Sequence, residues 1–224
     1  GRMNRHEVIR EDRSGGIFRV HRSVVSSAEI AALEQANIFQ RCWLYLGHDS
    51  EIPNVGDYRR RTVAGQPLFW VRGSDGRVRA FYNSCTHWGA NVCRVDQGNA
   101  EVFQCFYHAW TFNNRGDLVS VPDEAGYGEG FCKEAMGLVS PPRLDNYRGL
   151  YFVSFNPDVE DLVSYLAEAK DYIDLILDQS EKGWRVVPGT QKYSVRANWK
   201  MFSLNSLDNY HVRPLHSTFF KYTE

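Results

Sequence analysis

The sequence lacks the features of a membrane protein, a nucleic-acid-binding protein or a disulfide-stabilised secreted fold. No apolar run approaches the roughly 18 residues that a membrane-spanning helix needs. The net charge of −1 provides no overall field that would attract nucleic acid or an anionic membrane. The 5 cysteines are an odd, scattered set, unlike a disulfide framework. With no signal-peptide pattern at its start, we expect a cytoplasmic protein, in which cysteines bind metals more often than they cross-link.

Turn signals recur in the middle of the chain and indicate a β-rich domain over about residues 41–156. The apolar runs 68–71 and 78–82 flank Gly73-Ser74-Asp75-Gly76, which is the pattern of a hairpin. Leu150-Tyr151-Phe152-Val153 has the composition of a short buried strand. Turns at this frequency predict a small sandwich or an open barrel.

Helical patterns flank this β-rich region on both sides. A Ser-x-x-Glu spacing at 26–29 predicts a helix over about 27–40, and an apolar stripe predicts another over 158–179. Residues 186–197 have a strand pattern, and 199–211 have a helical pattern that ends or kinks near Pro214. We therefore divide the chain into an N-terminal segment (1–40), the β-rich domain (41–156) and the beginning of a further domain (157–224).

Two short motifs in the β-rich domain carry potential metal ligands. Cys85-Thr86-His87 and, after 17 residues, Cys105-Phe106-Tyr107-His108 each follow a β segment and open a turn. Two thiolates and two imidazoles suit either Zn²⁺ or a Rieske [2Fe–2S] cluster. In a common zinc finger Cys pairs with Cys and His with His, whereas a Rieske centre takes one Cys and one His from each loop. The order of ligands here favours the cluster.

The segments 85–90 and 105–110 resemble the two Rieske loops of aromatic-ring-hydroxylating oxygenase α subunits. The usual first loop has Pro and Arg where this chain has Thr86 and Trp88, and the usual second loop has Gly at position 109. These departures leave the ligands unchanged. The resemblance implies that a [2Fe–2S] cluster is held by four residues: Cys85, His87, Cys105 and His108.

A second group of potential ligands lies near the end of the chain. Asp208 and His211 have the i, i+3 spacing of one helix face, and His216 follows five residues later. The motif is weak alone, but its place after a Rieske signature resembles the catalytic motif of the same family. That resemblance implies that His211 and His216 bind a mononuclear Fe(II), that Asn205 lines the iron site, and that Asp208 bridges to a Rieske histidine of a neighbouring subunit. We expect the third ligand, a carboxylate, beyond Glu224; the alternative is that Asp208 completes the triad.

The resemblance implies an α+β protein: a mostly antiparallel β Rieske domain followed by the start of a helix-grip-like catalytic domain. The expected function is that of a terminal oxygenase, which takes electrons from an NAD(P)H-dependent reductase, directly or through a ferredoxin, and uses O₂ to dihydroxylate an aromatic substrate. The expected assembly is a homotrimer or an α3β3 complex. Three alternatives remain: a Rieske monooxygenase or demethylase with the same sites, a Rieske electron carrier, and a structural zinc protein.

Overall fold

A computed structural model of the chain describes residues 8–223, without the side chain of Thr223. Part of the predicted N-terminal segment (1–7) and residue 224 therefore lie outside the described residues. The chain forms two compact units. Residues 35–188 form one of them, and residues 8–34 together with 189–223 form the other.

The unit of residues 35–188 is built mainly from three antiparallel sheets. Its strands are β3 (Leu44–His48), β4 (Asp57–Val63), β5 (Gln66–Arg72), β6 (Val78–Tyr82), β7 (Gln97–Asn99), β8 (Val102–Gln104), β9 (Thr111–Asn113), β10 (Leu118–Ser120), β11 (Arg143–Tyr147) and β12 (Leu150–Ser154). The sheet orders are β6-β5-β4-β7, β10-β9-β8 and β11-β12-β3. The predicted β-rich region and the predicted hairpin, now β5–β6, are confirmed.

Strand β5 separates two hydrophobic cores because its side chains alternate between the faces of the sheet. Phe69 and Val71 belong to one core, and Leu68 and Trp70 belong to the other. All four side chains are completely buried. The core on the Phe69 side also contains both cysteines of the two motifs. This strand is thus one wall of the space in which the predicted ligands meet.

Aromatic contacts join the sheet of β5 to the sheet of β8 within that core. The ring of Phe69 lies 5.5 Å from Phe81 and 4.9 Å from Phe103, measured between centroids. Tyr58 meets Phe103 edge to face at 5.1 Å. Because β6 precedes the first motif and β8 precedes the second, these contacts bring the two motifs to the same end of the core.

The helix predicted over 158–179 is interrupted. Two helices, α3 (Leu162–Leu166) and α4 (Ala169–Leu177), replace it. The side chain of Asp161 caps α3 by accepting the Ser164 N–H at 2.9 Å. Ala167 ends that helix with a φ of 45°, so the ladder of helical hydrogen bonds cannot continue through it. The apolar stripe predicted one continuous helix here and did not predict the break at Ala167.

The other unit contains a hairpin and several helices. Its elements are β1 (Ile9–Asp12), β2 (Ile17–Val20), α1 (Ser23–Ser26), α2 (Ala28–Glu34), α5 (Trp199–Leu207), α6 (Val212–Leu215) and α7 (Ser217–Thr223). The predicted helix over 27–40 is confirmed: α2 covers Ala28–Glu34, and a π-helical turn (Gln35–Phe39) follows it in the sequence. The indole N–H of Trp199 donates to the Glu34 carboxylate at 2.9 Å, and Lys200 forms an ion pair with the same carboxylate. These contacts fasten α5 to α2.

Two predictions for this region are wrong. The strand expected over 186–197 is irregular backbone, because no described strand lies beside it to complete a hydrogen-bonded ladder. The helix expected over 199–211 ends at Leu207. Pro214 does not end a helix but lies inside α6, within the first turn, where a missing N–H leaves no helical bond unmade. Among residues 8–223, no helix has the length and apolar character to cross a membrane.

Candidate metal centre

The first loop follows β6 and folds back on its own cysteine. The backbone N–H of Cys85 donates to the Ala90 carbonyl at 2.8 Å, and the N–H of Gly89 donates to the Cys85 carbonyl at 2.8 Å. Below the loop, the amide of the buried Asn83 bonds both the N–H and the carbonyl of Cys93, each at 2.7 Å. Asn83 was not predicted as part of the site. Its only sequence signal is a polar residue where a buried strand runs into the C-x-H motif.

The second loop joins β8 to β9 and repeats this geometry. The N–H of Cys105 donates to the Trp110 carbonyl at 2.8 Å, and the N–H of Ala109 donates to the Cys105 carbonyl at 2.9 Å. Ala109 has a φ of 57°, and Gly89 at the equivalent position of the first loop has a φ of 78°. The fold of the loop therefore requires a left-handed residue here, which glycine adopts freely and alanine adopts at a cost.

The two loops place their four potential ligands in two layers. Cys85 and Cys105 are 4% and 2% exposed, whereas His87 is half-buried and His108 is exposed. The imidazole rings meet edge to face with centroids 4.7 Å apart. The motifs thus contribute two sulfur atoms inside the core and two imidazoles at its surface, one of each from each loop.

The electrostatics of the two cysteines follow from their burial and proximity. Burial raises the pKa of the Cys85 thiol, the backbone N–H of His87 lowers it, and the neighbouring Cys105 thiol raises it again. The raised pKa favours the protonated form of the Cys85 thiol in the absence of a cation. A bound metal would reverse this preference, because a coordinating thiol is deprotonated.

His87 is prepared to bind a metal. Its Nδ1 atom is buried and has no hydrogen-bond partner among the described residues. Burial, and then the proximity of His108, lowers the pKa of His87 and favours the neutral imidazole that a metal requires. Its ring also stacks on Trp110, with centroids 4.7 Å apart and an interplanar angle of 9°. An orphaned nitrogen on a fixed, neutral ring fits a metal ligand.

The donor set fits a two-iron cluster better than a single ion. Each loop supplies one cysteine inside the core and one imidazole nearer its surface. This layering suits a Rieske cluster, in which one iron takes the two thiolates and the other takes the two imidazoles.

Aromatic side chains surround the surface histidines. Trp88 is 70% exposed, and its ring lies 5.7 Å from His108 and 6.2 Å from Tyr107. The ring of Tyr107 lies 4.0 Å from that of His108. Trp88 stands where the family usually has arginine. It therefore places a neutral aromatic ring, instead of a positive charge, beside His108.

The second group of predicted ligands is only partly assembled by the structure. Nδ1 of His211 lies 3.1 Å from the Asp208 carboxylate, and the rings of His211 and His216 are 5.6 Å apart. The prediction that Asp208 and His211 share a helix face is wrong, because α5 ends at Leu207 and a turn brings them together. Asn205 lies on α5 and is exposed. The N–H of Tyr210, and then His211, lowers the pKa of Asp208, which favours the carboxylate.

Comparison with known proteins identifies the centre that the two loops form. The Rieske [2Fe-2S] domain family matches residues 42–142, which include both loops and the strands that carry them. The α subunit of toluate 1,2-dioxygenase from Pseudomonas putida is 38% identical over 93% of this chain and 47% of its own length. The chain belongs to the Rieske oxygenase α-subunit family. It carries a Rieske [2Fe–2S] domain, which sets aside the zinc alternative.

Solved structures of Rieske oxygenases agree with this fold. Naphthalene 1,2-dioxygenase from Rhodococcus sp., bound to indole, superposes with a TM-score of 0.86 at 36% identity, over 90% of this chain and 46% of that one. A quaternary ammonium Rieske monooxygenase superposes with a TM-score of 0.75 at 29% identity, over 88% of this chain and 54% of that one. The expected α+β fold with its antiparallel Rieske domain is confirmed. The chain spans about half the length of the curated relatives it matches.

The left-handed alanine gives a test of the loop geometry. Ala109→Gly should raise the free energy of unfolding by about 0.5–1 kcal/mol, since relief of the left-handed strain outweighs the greater freedom of glycine in the unfolded chain. Denaturant unfolding of the intact chain measures this. Ala90→Gly is the matched control, because Ala90 lies in the first loop without a positive φ; it should be destabilising. Equal destabilisation by both changes would contradict the strain at Ala109.

Proposed function

We propose that the chain provides the Rieske domain and the beginning of the catalytic domain of a terminal dioxygenase. One observation carries the proposal: two loops of the same backbone geometry each present one buried thiol and one imidazole at the surface. The relatives named above, which match nearly the whole chain, support the choice of an aromatic dioxygenase. Cys85, His87, Cys105 and His108 are the proposed ligands of the cluster.

The layered arrangement suits one-electron transfer. The cluster supplies an electron carrier whose potential depends on charge, hydrogen bonds to sulfur and solvent exposure. Cys85 and Cys105, which lie in the core that contains Phe69, would hold one iron away from water. His87 and His108 bring the outer ligands to the surface, where a partner can approach the ring edges. The aromatic rim of Trp88 and Tyr107 excludes water around that contact.

The second group of residues is proposed to hold a mononuclear iron. His211 and His216 would supply two imidazoles, and a carboxylate from outside this chain, or Asp208 itself, would complete a two-histidine, one-carboxylate site. Such a site leaves open positions for O₂ and substrate, which is the chemistry that the iron supplies. Asn205, which lies on α5 six residues before His211 in the sequence, would line the same iron site.

The overall reaction balances with one reduced nicotinamide per turnover. An aromatic substrate, O₂, NAD(P)H and a proton yield a dihydrodiol and NAD(P)⁺, with both oxygen atoms added to the ring. An NAD(P)H-dependent reductase would deliver the electrons to the His87–His108 face, directly or through a ferredoxin. We place the system in the cytoplasm, where NAD(P)H is produced and where the 5 cysteines, all free in this structure, stay reduced.

Assembly is proposed to join the two metal sites of neighbouring copies. A carboxylate commonly accepts the second N–H of a metal-bound histidine. Asp208 is ionised and partly exposed, and it already accepts a bond from one imidazole. It would bridge to His108 of a neighbouring copy in a closed ring, either a homotrimer or an α3β3 complex with a small β subunit.

A Rieske monooxygenase is the second candidate. The structural similarity to a quaternary ammonium monooxygenase favours it, at lower identity than the dioxygenase relatives. Product analysis separates the two, because a dioxygenase places both atoms of labelled O₂ in the product. A bare electron carrier fits less well, since it has no use for His211 and His216.

Removing one proposed cluster ligand tests the first site. Cys85→Ser should abolish the visible absorption and the low-g electron resonance signal of a Rieske cluster, because each iron has only two protein ligands. Circular dichroism would check that the chain stays folded. Cys93→Ser is the matched control: Cys93 is equally buried in the same core, but its thiol donates to the Val95 carbonyl at 3.3 Å. A full Rieske spectrum in Cys85→Ser would refute the assignment.

Removing a proposed iron ligand tests the second site. His211→Ala should abolish oxygenase activity and lower the iron content from about three to about two atoms per chain, while the Rieske spectrum stays intact. If His211→Ala removed both metal signals from a folded protein, a single shared site would replace this account.

Asp208→Asn should keep all the iron and slow electron transfer to the mononuclear site, because an amide is a poorer acceptor for an imidazole N–H.

A further inference from the structure

Residues 123–137 contact both cluster loops. This segment, called the strap below, contains two short 3₁₀ turns (Glu124–Tyr127 and Lys133–Met136). An ion pair of 3.1 Å between Lys133 and Glu124 joins the two turns. Just beyond the strap, the Leu138 N–H donates to the Gly116 carbonyl at 2.7 Å. The ion pair therefore holds the two turns of the strap together, and the bond to Gly116 fixes the C-terminal end of the strap.

The first loop is fastened to the strap by a threonine that stands where the family usually has proline. The Thr86 hydroxyl donates to the Met136 carbonyl at 2.7 Å. Thr86 lies between the two ligands Cys85 and His87, so this bond restrains the residue that connects them. Met136 also packs against the core that contains both cysteines. A proline would offer no hydroxyl for this contact.

The second loop is fastened to the strap through Trp110. Its indole N–H donates to the Tyr127 hydroxyl at 3.3 Å, and its ring meets Phe131 edge to face at 5.9 Å. Trp110 is 1% exposed and stacks on the His87 ring. The strap thus fixes the ring plane of Trp110. Because the ring of His87, a ligand from the first loop, stacks on Trp110, its orientation is fixed as well.

We propose that the strap, fastened by Thr86 and Tyr127, sets the orientation of His87 and protects the cluster from solvent. This inference rests on the proposed cluster ligands. Thr86 and Tyr127 are positioning residues, since neither supplies a ligand atom. Loosening either fastening lets the first loop or Trp110 rotate, which changes the solvent exposure on which the potential depends and opens a path for chelators.

Thr86→Val tests the first fastening, because it keeps the branched shape and removes the hydroxyl. We expect a shifted midpoint potential, altered g-values, and cluster loss to a chelator about fivefold faster, as expected for one lost hydrogen bond. Thr86→Ser restores the hydroxyl and should restore all three properties. Thr62→Val is the matched control, on an exposed position of β4 away from the strap. Tyr127→Phe should reproduce the changes in potential and g-values through the second fastening.

The outcomes separate this proposal from the cluster assignment. If the unsubstituted chain has a Rieske spectrum and Thr86→Val leaves potential, g-values and chelation rate unchanged, the strap proposal is refuted and the ligands stand. If Thr86→Ser behaves as Thr86→Val, the hydroxyl is irrelevant and the proposal is equally refuted. If the unsubstituted, iron-reconstituted chain lacks a Rieske spectrum, the ligand assignment fails and the strap proposal falls with it.

Discussion

The burial of two cysteine thiols side by side beneath two imidazoles is the constraint on which the rest of this structure depends. The thiols lie in the core formed by Phe69, Phe103 and their neighbours, and the imidazoles lie at its surface. Such a layer needs two loops of matched depth, and the chain supplies them with the same pair of hydrogen bonds around Cys85 and around Cys105. Iron can then be held inside the protein while its histidine ligands remain accessible to an electron-transfer partner.

This constraint explains why the surrounding residues are so strongly fixed. Asn83 bonds the backbone of Cys93 next to the first loop, and the strap forms one hydrogen bond with each loop. The stacked pair of His87 and Trp110 links one loop to the other. A metal-bound histidine whose ring could turn would change both the affinity for iron and the redox potential. The departures at Thr86 and Trp88 therefore change the contacts around the proposed ligands while the ligands themselves stay the same.

Local patterns made the Rieske domain predictable. The β5–β6 hairpin has its turn residues at 73–76. The ligand order, one cysteine and one histidine in each motif, favoured a cluster over a zinc finger. The partner of Thr86 could not be predicted in this way, because the Met136 carbonyl lies 50 residues away in sequence. The strand expected over 186–197 failed for a related reason: pairing needs a neighbour, and residue types alone do not supply one.

The central claim, that one histidine from each loop binds the same cluster, is tested most directly by pulsed electron resonance on the reduced protein labelled with ¹⁵N-histidine. We predict strong ¹⁵N couplings from two histidine nitrogens, one of His87 and one of His108. If either residue alone keeps ¹⁴N, one of the two ¹⁵N couplings should be replaced by a ¹⁴N coupling. Coupling to a single histidine nitrogen, or to none, in a protein that carries a two-iron cluster would contradict the central claim.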